Sequence, residues 1–294
     1  MKQHILSALL GFGMLSATAS EPSPVTVAEL RPNIWMLSGE GGNITVAASA
    51  AGTLMVDTGL SSETQAIKEA LQKLHVQPIR WIVNTHFHYD HTGGNAEVAA
   101  DATIIASKAT RRRLTSVQQL WGMDHDPLPE RARPNLTIDA EIALNVGNEP
   151  VQVRPLPGGH TDGDVVVLLP KSHVAVLGDD LFAGMFPIVH PEHGGSLLTL
   201  RKHLRRLRLD LPADTIIVPG HGPLATRDDL DRLLAMLDAS IDYVRAGKQA
   251  GKTLAVMQAE PLPPICEPFS HGYRNPAQWV EIVYNAIDVM DSAK

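Results

Sequence analysis

The chain lacks the cysteines that an intrachain disulfide requires, because Cys266 is the only one among its 294 residues. It also lacks an excess of positive charge: 25 Lys and Arg stand against 32 Asp and Glu, for a formal net charge of −7. Nucleic-acid binding needs clustered Lys and Arg, and the short run Arg111–Arg113 is typical of a solvated helix face. We therefore expect no nucleic-acid partner, a structural role for Cys266, and stabilisation by an apolar core or by metal.

Long hydrophobic runs are also absent after the first residues of the chain. Lys2 precedes an apolar segment from Ile5 to Leu15, which is too short to cross a bilayer. The small-residue sequence Ala17-Thr18-Ala19 follows, and this order is typical of a secretory signal cleaved near Ala19 or Ser20. We predict a signal peptide over residues 1–20 and a single domain over residues 21–294. The mature protein is then periplasmic or secreted and has no membrane association.

One stretch concentrates metal-ligand side chains, since His86-Phe87-His88-Tyr89-Asp90-His91 contains three histidines and one aspartate. The apolar segment 80–85 before it predicts a strand, and the Gly-rich segment 92–95 after it predicts a turn. Imidazole nitrogen and carboxylate oxygen are the usual zinc donors. In an extended segment, side chains two apart point the same way, so His86, His88 and Asp90 are expected to converge. His91 is then directed elsewhere, which indicates ligands for two neighbouring metal ions.

Three later motifs complete a recognisable pattern. In chain order they are Gly159-His160-Thr161, Gly178-Asp179-Asp180-Leu181-Phe182 and Pro219-Gly220-His221-Gly222. With the His-x-His-x-Asp-His stretch, they resemble the metallo-β-lactamase superfamily, and the resemblance extends from about Trp35 to the end of the chain. It implies the α/β class and a four-layer αβ/βα sandwich, in which two facing mixed β-sheets carry helices on their outer faces.

The resemblance also implies a ligand set and a reaction. It implies two Zn²⁺ ions per chain with ligands that we assign as His86, His88 and His160 for the first ion, Asp90, His91 and His221 for the second, and Asp179 for both. The first ion then keeps an open position, which marks a catalytic zinc site. A water shared by two cations loses a proton near neutral pH, and the resulting hydroxide is the nucleophile. The residues predicted to be catalytic are His86, His88, Asp90 and His91.

The order of sequence patterns fits this fold. Apolar strand patterns alternate with amphipathic helix patterns in two similar halves, residues 25–150 and 151–294, and each candidate ligand follows a strand. Loops held by a rigid sheet are where catalytic groups collect. The pattern predicts a helix from Thr110 to Trp121, an irregular loop from Asp124 to Pro134 over the site, and a strand from His173 to Leu177 that ends before Asp179.

Two groups of carboxylates are candidates for orienting the ligands. Asp57, at the end of a strand, either orients a metal ligand, as the resemblance implies, or begins the next helix. Asp162 or Asp164, which follow His160 closely, is a candidate to hold a ligand imidazole.

The remaining histidines divide by context. His190 and His193 are candidate substrate-binding residues because they lie in loop sequence that could border the cleft, and His271 shares this context; a surface location is the alternative. The others lack a ligand context and are expected to face solvent, namely His4, His75, His125, His173 and His203.

The aspartate at position 179 bears on the substrate. Many β-lactamases of the superfamily have Cys or a small residue there, whereas a bridging Asp is the pattern of glyoxalase II-like thioesterases and lactonases. Phe182 stands where lactonases have Tyr, and the region after Arg245 lacks the basic cluster with which glyoxalase II holds glutathione. We predict a hydrolase that opens a cyclic amide or ester in a small molecule, with β-lactams as the leading class.

Three alternatives remain. The first is a thioester or lactone hydrolase. The second is an iron-dependent persulfide dioxygenase, which needs only two His and one Asp on a single metal, whereas the complete set of seven ligands favours two metals. The third is a passive metal-binding protein, against which the open coordination position argues. The sequence leaves the oligomeric state open.

Overall fold

Two β-sheets face each other in the computed structural model, which describes residues 25–98, 101–120 and 122–291. Helices cover the outer face of each sheet, so the layers run helix, sheet, sheet, helix. The predicted fold class, a four-layer αβ/βα sandwich of the α/β class, is therefore confirmed. The predicted signal peptide, residues 1–20, lies outside the described residues.

The first sheet has seven strands, which lie across the sheet in the order β1 (Thr26–Arg31), β2 (Ile34–Ser38), β3 (Ile44–Ser49), β4 (Gly52–Val56), β5 (Ile79–Val83), β6 (Thr103–Ser107) and β9 (Leu136–Ile138). The first four are antiparallel neighbours, and β4, β5, β6 and β9 run parallel. Every residue of β4 is buried, as expected for a strand covered on both faces. The parallel arrangement brings the carboxyl ends of β4 and β5 to the same edge.

The second sheet has five strands in the order β10 (Ile142–Val146), β11 (Glu149–Pro155), β12 (Val165–Leu169), β13 (Val174–Phe182) and β14 (Ile216–His221). The first four are antiparallel, whereas β13 and β14 run parallel and end at the same edge. A separate hairpin consists of β7 (Gln118–Leu120) and β8 (Met123–His125).

Eight α-helices occur among the described residues: α1 (Thr64–Lys73), α2 (Tyr89–Thr92), α3 (Asn95–Val98), α4 (Lys108–Arg113), α5 (Leu197–Asp210), α6 (Arg227–Gln249), α7 (Leu254–Ala259) and α8 (Pro276–Asp291). One apolar layer fills the space between the sheets, a second joins the first sheet to α1, and a third joins the second sheet to α5, α6 and α8. Helix α5 packs through leucines at helical spacing, namely Leu197, Leu200, Leu204 and Leu207. None of the described helices has the length and apolar character of a membrane span.

Two local predictions from the sequence are wrong. Helix α4 ends at Arg113, and the chain then enters the β7–β8 hairpin, so no helix continues toward Trp121. The hydroxyls of Thr115 and Ser116 donate to the carbonyls of Arg112 and Arg113, and this competition with helical hydrogen bonds explains the early end. Residues 124–134 are irregular apart from the end of β8 and one 3₁₀ turn at 130–132.

The second error concerns the strand before Asp179. Strand β13 continues through Phe182 because β14 pairs with it as far as His221, with register shifts along the way. Asp179 therefore lies inside a buried strand and not in the loop that follows it.

The outer helical layer of the second sheet is anchored by Trp279. Its side chain is fully buried, its ring stacks on Phe186 with centroids 4.9 Å apart, and its Nε1 donates to Ser240 Oγ at 2.9 Å. Ser240 Oγ also lies 3.4 Å from the Sγ of buried Cys266, so the thiol belongs to the same core contact. Burial raises the pKa of the Cys266 thiol, which agrees with a structural role.

We expect Trp279→Ala to lower the free energy of unfolding by about 3–5 kcal/mol, because it removes a buried ring and leaves a cavity. Urea denaturation followed by circular dichroism measures this change. Trp279→Phe retains an aromatic ring against Phe186 but loses the hydrogen bond to Ser240, so its loss should be smaller. Equal stability of Trp279→Ala and the wild type would contradict the anchoring role.

Candidate metal centre

The seven predicted ligands come together at the edge where the parallel strands of the two sheets end. Their donor atoms form two groups, within each of which all atoms lie no more than 4.8 Å apart: His86, His88, His160 and Asp179 in the first, and Asp90, His91 and His221 in the second. All are buried except His221, which is partly exposed. The sequence thus identified the side chains that the fold collects.

Four of the seven side chains follow strand β5 of the first sheet. His86 and His88 precede the short helix α2, and Asp90 and His91 lie within it. Because α2 is a helical turn, Asp90 does not point with His86 and His88, as extended backbone would require. That expectation is wrong, and Asp90 instead groups with His91.

The other three side chains come from the second sheet. His160 lies in the turn between β11 and β12, Asp179 lies within β13, and His221 is the last residue of β14. The site is therefore completed only when the two sheets pack together, with four candidate ligands from one sheet and three from the other.

The first group is held tightly around His160. Its Nδ1 lies 2.8 Å from the carbonyl oxygen of Ile188, which accepts the proton of that nitrogen and leaves Nε2 facing the centre. His160 Nε2 lies 3.0 Å from His88 Nδ1 and 3.3 Å from Asp179 Oδ2. His86 Nε2 lies 3.6 Å from the same carboxylate oxygen.

The second group surrounds the other oxygen of Asp179. Asp179 Oδ1 lies 3.0 Å from His91 Nε2 and 3.5 Å from His221 Nε2. His221 Nε2 lies 3.1 Å from Asp90 Oδ2 and 3.4 Å from His91 Nε2. The two oxygens of Asp179 are thus divided between the two groups, which is the arrangement that a bridging carboxylate requires.

These distances and environments fit divalent cations. Ligand atoms about 2.0–2.2 Å from one ion lie about 3–3.5 Å from each other, close to the separations found here. Among the described residues, the buried atoms at the centre that make no hydrogen bond include His86 Nε2, Asp90 Oδ1 and Asp179 Oδ1. Buried polar atoms are normally satisfied, so a cation in each group would supply the partner that these atoms need.

The protonation states also suit metal binding, which needs neutral imidazole and ionised carboxylate. Burial lowers the pKa of His86 and His88 well below the ordinary value, and it lowers the pKa of His160 to about 4. Burial opposes ionisation of Asp179, but the surrounding imidazoles, His91 first, hold its pKa well below the ordinary value. Burial also opposes charge on His91, yet the carboxylates around it raise its pKa well above the ordinary value. A cation there would take the place of that proton.

A match to a known sequence profile identifies the family of the chain. The sequence profile of the metallo-beta-lactamase superfamily matches residues 37–221, which include all seven candidate ligands. The chain belongs to this superfamily. The predicted metal-dependent hydrolase of the metallo-β-lactamase type is thereby confirmed at the level of the family.

Other known proteins are similar to this chain in sequence or in fold. A hydroxyacylglutathione hydrolase from Rhodospirillum rubrum is 30% identical over 170 residues, which are 57% of this chain and 56% of the relative. Among solved structures, the sec-alkylsulfatase Pisa1 from Pseudomonas sp. has a TM-score of 0.71 at 16% identity and covers 89% of this chain and 50% of its own. The B3 metallo-beta-lactamase BLEG-1 has a TM-score of 0.55 at 25% identity and covers 64% of this chain and 90% of its own. The chain thus spans about half the length of the hydroxyacylglutathione hydrolase.

Asp57 holds the candidate ligand His91 and does not begin a helix. Its Oδ2 lies 2.8 Å from His91 Nδ1 and accepts from Thr85 Oγ1 at 2.7 Å, while its Oδ1 accepts from Thr85 N at 2.8 Å. The helix α1 starts only at Thr64, after a 3₁₀ turn. The structure therefore decides between the two alternatives for Asp57.

The expectation that Asp162 or Asp164 holds a ligand imidazole is wrong. The ring of His160 is held by the carbonyl of Ile188, a backbone group that lies far along the chain. Asp164 instead accepts from Thr161 N and Thr161 Oγ1 and so shapes the turn that carries His160. Asp162 forms ion pairs with Arg113 at 2.7 and 2.9 Å.

The sequence predicted the locations of the other histidines only in part. His190 and His193 are buried beside the first group, with the ring centroid of His190 5.0 Å from that of His88. His75 is exposed, as expected, but His125 is partly buried and stacks on Tyr89 with centroids 4.2 Å apart. His173 and His203 are partly buried, His271 is exposed, and His4 lies outside the described residues.

A cavity of about 320 Å³ opens onto the centre, and its lining includes residues that sequence reasoning did not assign. The candidate ligands Asp90, His160, Asp179 and His221 form its floor, and further lining residues include Glu40, Leu60, Phe182, Tyr273 and Arg274. Phe182 stacks on His221 with centroids 5.2 Å apart, and the ring of Tyr273 lies 5.7 Å from that of His221. No sequence motif marks Tyr273 and Arg274. Sequence reasoning missed them because only the fold brings their loop to the site. His190 and His193 are not part of this lining.

We expect Asp57→Asn to weaken metal binding at the second group by about 10–100-fold, because the amide holds His91 less firmly. Asparagine tolerates the positive φ of 63° at this position, so the backbone is retained. Competition between the protein and a chromophoric chelator measures the affinity. Asp139→Asn, an exposed aspartate that pairs with Lys108, is the control. Unchanged affinity in Asp57→Asn would contradict its orienting role.

Proposed function

We propose that the protein is a dinuclear zinc hydrolase that opens a cyclic amide or ester in a small anionic molecule, with β-lactams as the leading class. The observation that carries this proposal is the shared cavity, which joins the two ligand groups to a single half-buried arginine, Arg274. Two bound Zn²⁺ ions would polarise a substrate carbonyl and lower the pKa of a water molecule.

Asp90 is the residue best placed to handle a proton. Its side chain lines the cavity, its Oδ2 lies 3.1 Å from His221 Nε2, and its Oδ1 makes no hydrogen bond within the described part of the chain. Burial opposes its ionisation, but His91 and His221 lower its pKa below the ordinary value. The ionised carboxylate can therefore orient a water, accept its proton during attack, and return a proton to the leaving nitrogen or oxygen.

The walls of the cavity fit a substrate with apolar and anionic parts. Leu60, Phe182 and Ile188 supply apolar surface, and Arg274 supplies a guanidinium that can bind a carboxylate in a bidentate manner. Glu40 is the acidic side chain in the lining that is not a candidate ligand, and it could meet an amino group of the substrate. A β-lactam with a ring carboxylate matches this combination, and BLEG-1 is a metallo-beta-lactamase.

Thioester hydrolysis is the second candidate, and the relatives favour it. Curated proteins that match the chain at about 30% identity include hydroxyacylglutathione hydrolases from several bacteria. An acyl-glutathione also carries carboxylates, so Arg274 fits either class. Convergence of all seven candidate ligands favours both hydrolases over the mononuclear iron enzyme that the sequence left as an alternative.

The first test is hydrolysis of a chromogenic cephalosporin by the zinc-loaded protein, followed by absorbance. We expect a rate that chelator treatment abolishes and that Asp90→Asn reduces by at least about 10²-fold, since it removes the proton acceptor. Circular dichroism and metal content verify that the variant is folded and loaded. No cephalosporin hydrolysis by protein with two zinc ions bound, together with hydrolysis of acyl-glutathione thioesters, would favour the second candidate. Full activity in Asp90→Asn would contradict the role of Asp90.

Arg274→Gln tests the anionic substrate. We expect KM to rise by about 10-fold or more with little change in kcat, because a charge-assisted hydrogen bond to the substrate is lost. The comparison uses a substrate and its neutral methyl ester, and the ester should show no such change. Arg245→Gln is the matched control, since Arg245 pairs with Asp242 on the surface. An equal effect of Arg274→Gln on both substrates would contradict recognition of the carboxylate.

A further inference from the structure

Beside the dinuclear centre lies a third cluster of metal-type donors, which the proposed reaction does not use. His190, Glu192 and His193 each offer a donor atom, and these atoms lie within 4.8 Å of one another. Imidazoles are common donors to divalent metal ions, including zinc and iron, and a carboxylate often holds the outer nitrogen of such a ligand. The two histidines were candidates for substrate binding, but neither lines the substrate cavity.

Both imidazoles are buried and incompletely satisfied. His190 and His193 are 6% and 7% exposed. Among the described residues, His190 Nε2 and His193 Nδ1 make no hydrogen bond, although each atom is inaccessible to solvent. Burial of such nitrogens without a partner is unfavourable, and a bound cation would remove that penalty.

The carboxylate of Glu192 completes the arrangement. Its Oε1 lies 2.7 Å from His190 Nδ1, so it accepts the proton of that nitrogen and leaves the lone pair on Nε2. A carboxylate that holds the outer nitrogen of a histidine is the usual support of a metal ligand. The side chain of Glu192 is largely exposed, which opens the cluster to ions from solvent.

The backbone holds the two histidines in place without any ion. A 3₁₀ turn, Pro191–His193, joins them, and His193 N donates to His190 O at 2.9 Å. His190 N donates to His160 O at 3.1 Å, and His193 O accepts from Asp162 N at 2.8 Å. Arg113, whose positive charge acts on His193, is paired with Asp162 and does not leave an uncompensated cation beside the cluster.

We propose that His190 and His193, supported by Glu192, form a third divalent-cation site next to the dinuclear centre. Two partly buried histidines elsewhere, His125 and His203, also have a nitrogen without a hydrogen bond, but neither belongs to a donor cluster among the residues that the structure describes. The third site has fewer protein donors than the other two, so it binds zinc more weakly and fills last. The proposal concerns metal content and does not depend on which substrate the enzyme hydrolyses.

Equilibrium dialysis of the protein against increasing Zn²⁺, with metal measured by mass spectrometry, tests the proposal. We expect two ions to bind tightly and a third to bind at higher Zn²⁺. His193→Ala and His190→Ala should each lose the third ion and retain the other two. Glu192→Gln, a change at an exposed side chain that leaves the buried packing intact, should weaken the third ion by about 10-fold or more.

A matched control uses a surface histidine–carboxylate pair. His173 Nδ1 lies 2.7 Å from Asp214 Oδ1, but no second histidine is part of the pair. His173 has a φ of 50°, so His173→Asn keeps its backbone conformation, and this variant should retain all three ions. A wild-type protein that saturates at two ions would overturn the proposal. Loss of the third ion in His173→Asn, or its retention in both His190→Ala and His193→Ala, would overturn it equally.

Discussion

The buried carboxylate of Asp179 is the constraint on which the site depends. A charge removed from water must be compensated, and around Asp179 the compensation comes from imidazoles on both sides and from the cations they can hold. Glycine residues, which have no side chain, leave the space that this part of the site needs. A Cβ on Gly220 would lie 1.9 Å from Asp179 Oδ1, and Gly178 has a φ of 53° and would place a Cβ 2.6 Å from Thr85. Gly220 is therefore explained by the lack of space beside the carboxylate, and Gly178 by its positive φ and the close approach of Thr85.

Hydrogen bonds between the two sheets keep the candidate ligands at a fixed separation. Val165 N donates to Thr85 O at 2.7 Å, and Asn43 N donates to Gly220 O at 2.7 Å. The side chain of Asn43 adds a bond to Pro219 O at 3.0 Å. The segments that carry His86 and His221 are thus tied to the opposite sheet as well as to their own. A site that spans two sheets needs such ties, because a shift of about 1 Å between the sheets would separate its two halves.

Local sequence predicted the candidate ligands well because each lies within or soon after an apolar strand. It failed where the answer depended on tertiary packing. Asp90 was expected to point with His86, but a helical turn rotates it toward His91. A carbonyl from Ile188 holds His160 in place of the predicted aspartates, and no sequence pattern marks a carbonyl. Asp57 could be placed at a strand end, yet only the packed structure shows its contact with His91.

The candidate ligands and part of the cavity wall come from different parts of the chain. The match to the superfamily ends at His221, the last candidate ligand, whereas Tyr273 and Arg274 come from the segment that follows. That segment is fixed by α6 and α8, whose packing through Trp279 brings residues 270–275 back toward the site. This segment packs closely against Met185, because a Cβ on Gly272 would lie 2.3 Å from the Met185 side chain. Changes in the C-terminal segment can therefore alter which molecule enters the cavity without disturbing the seven candidate ligands.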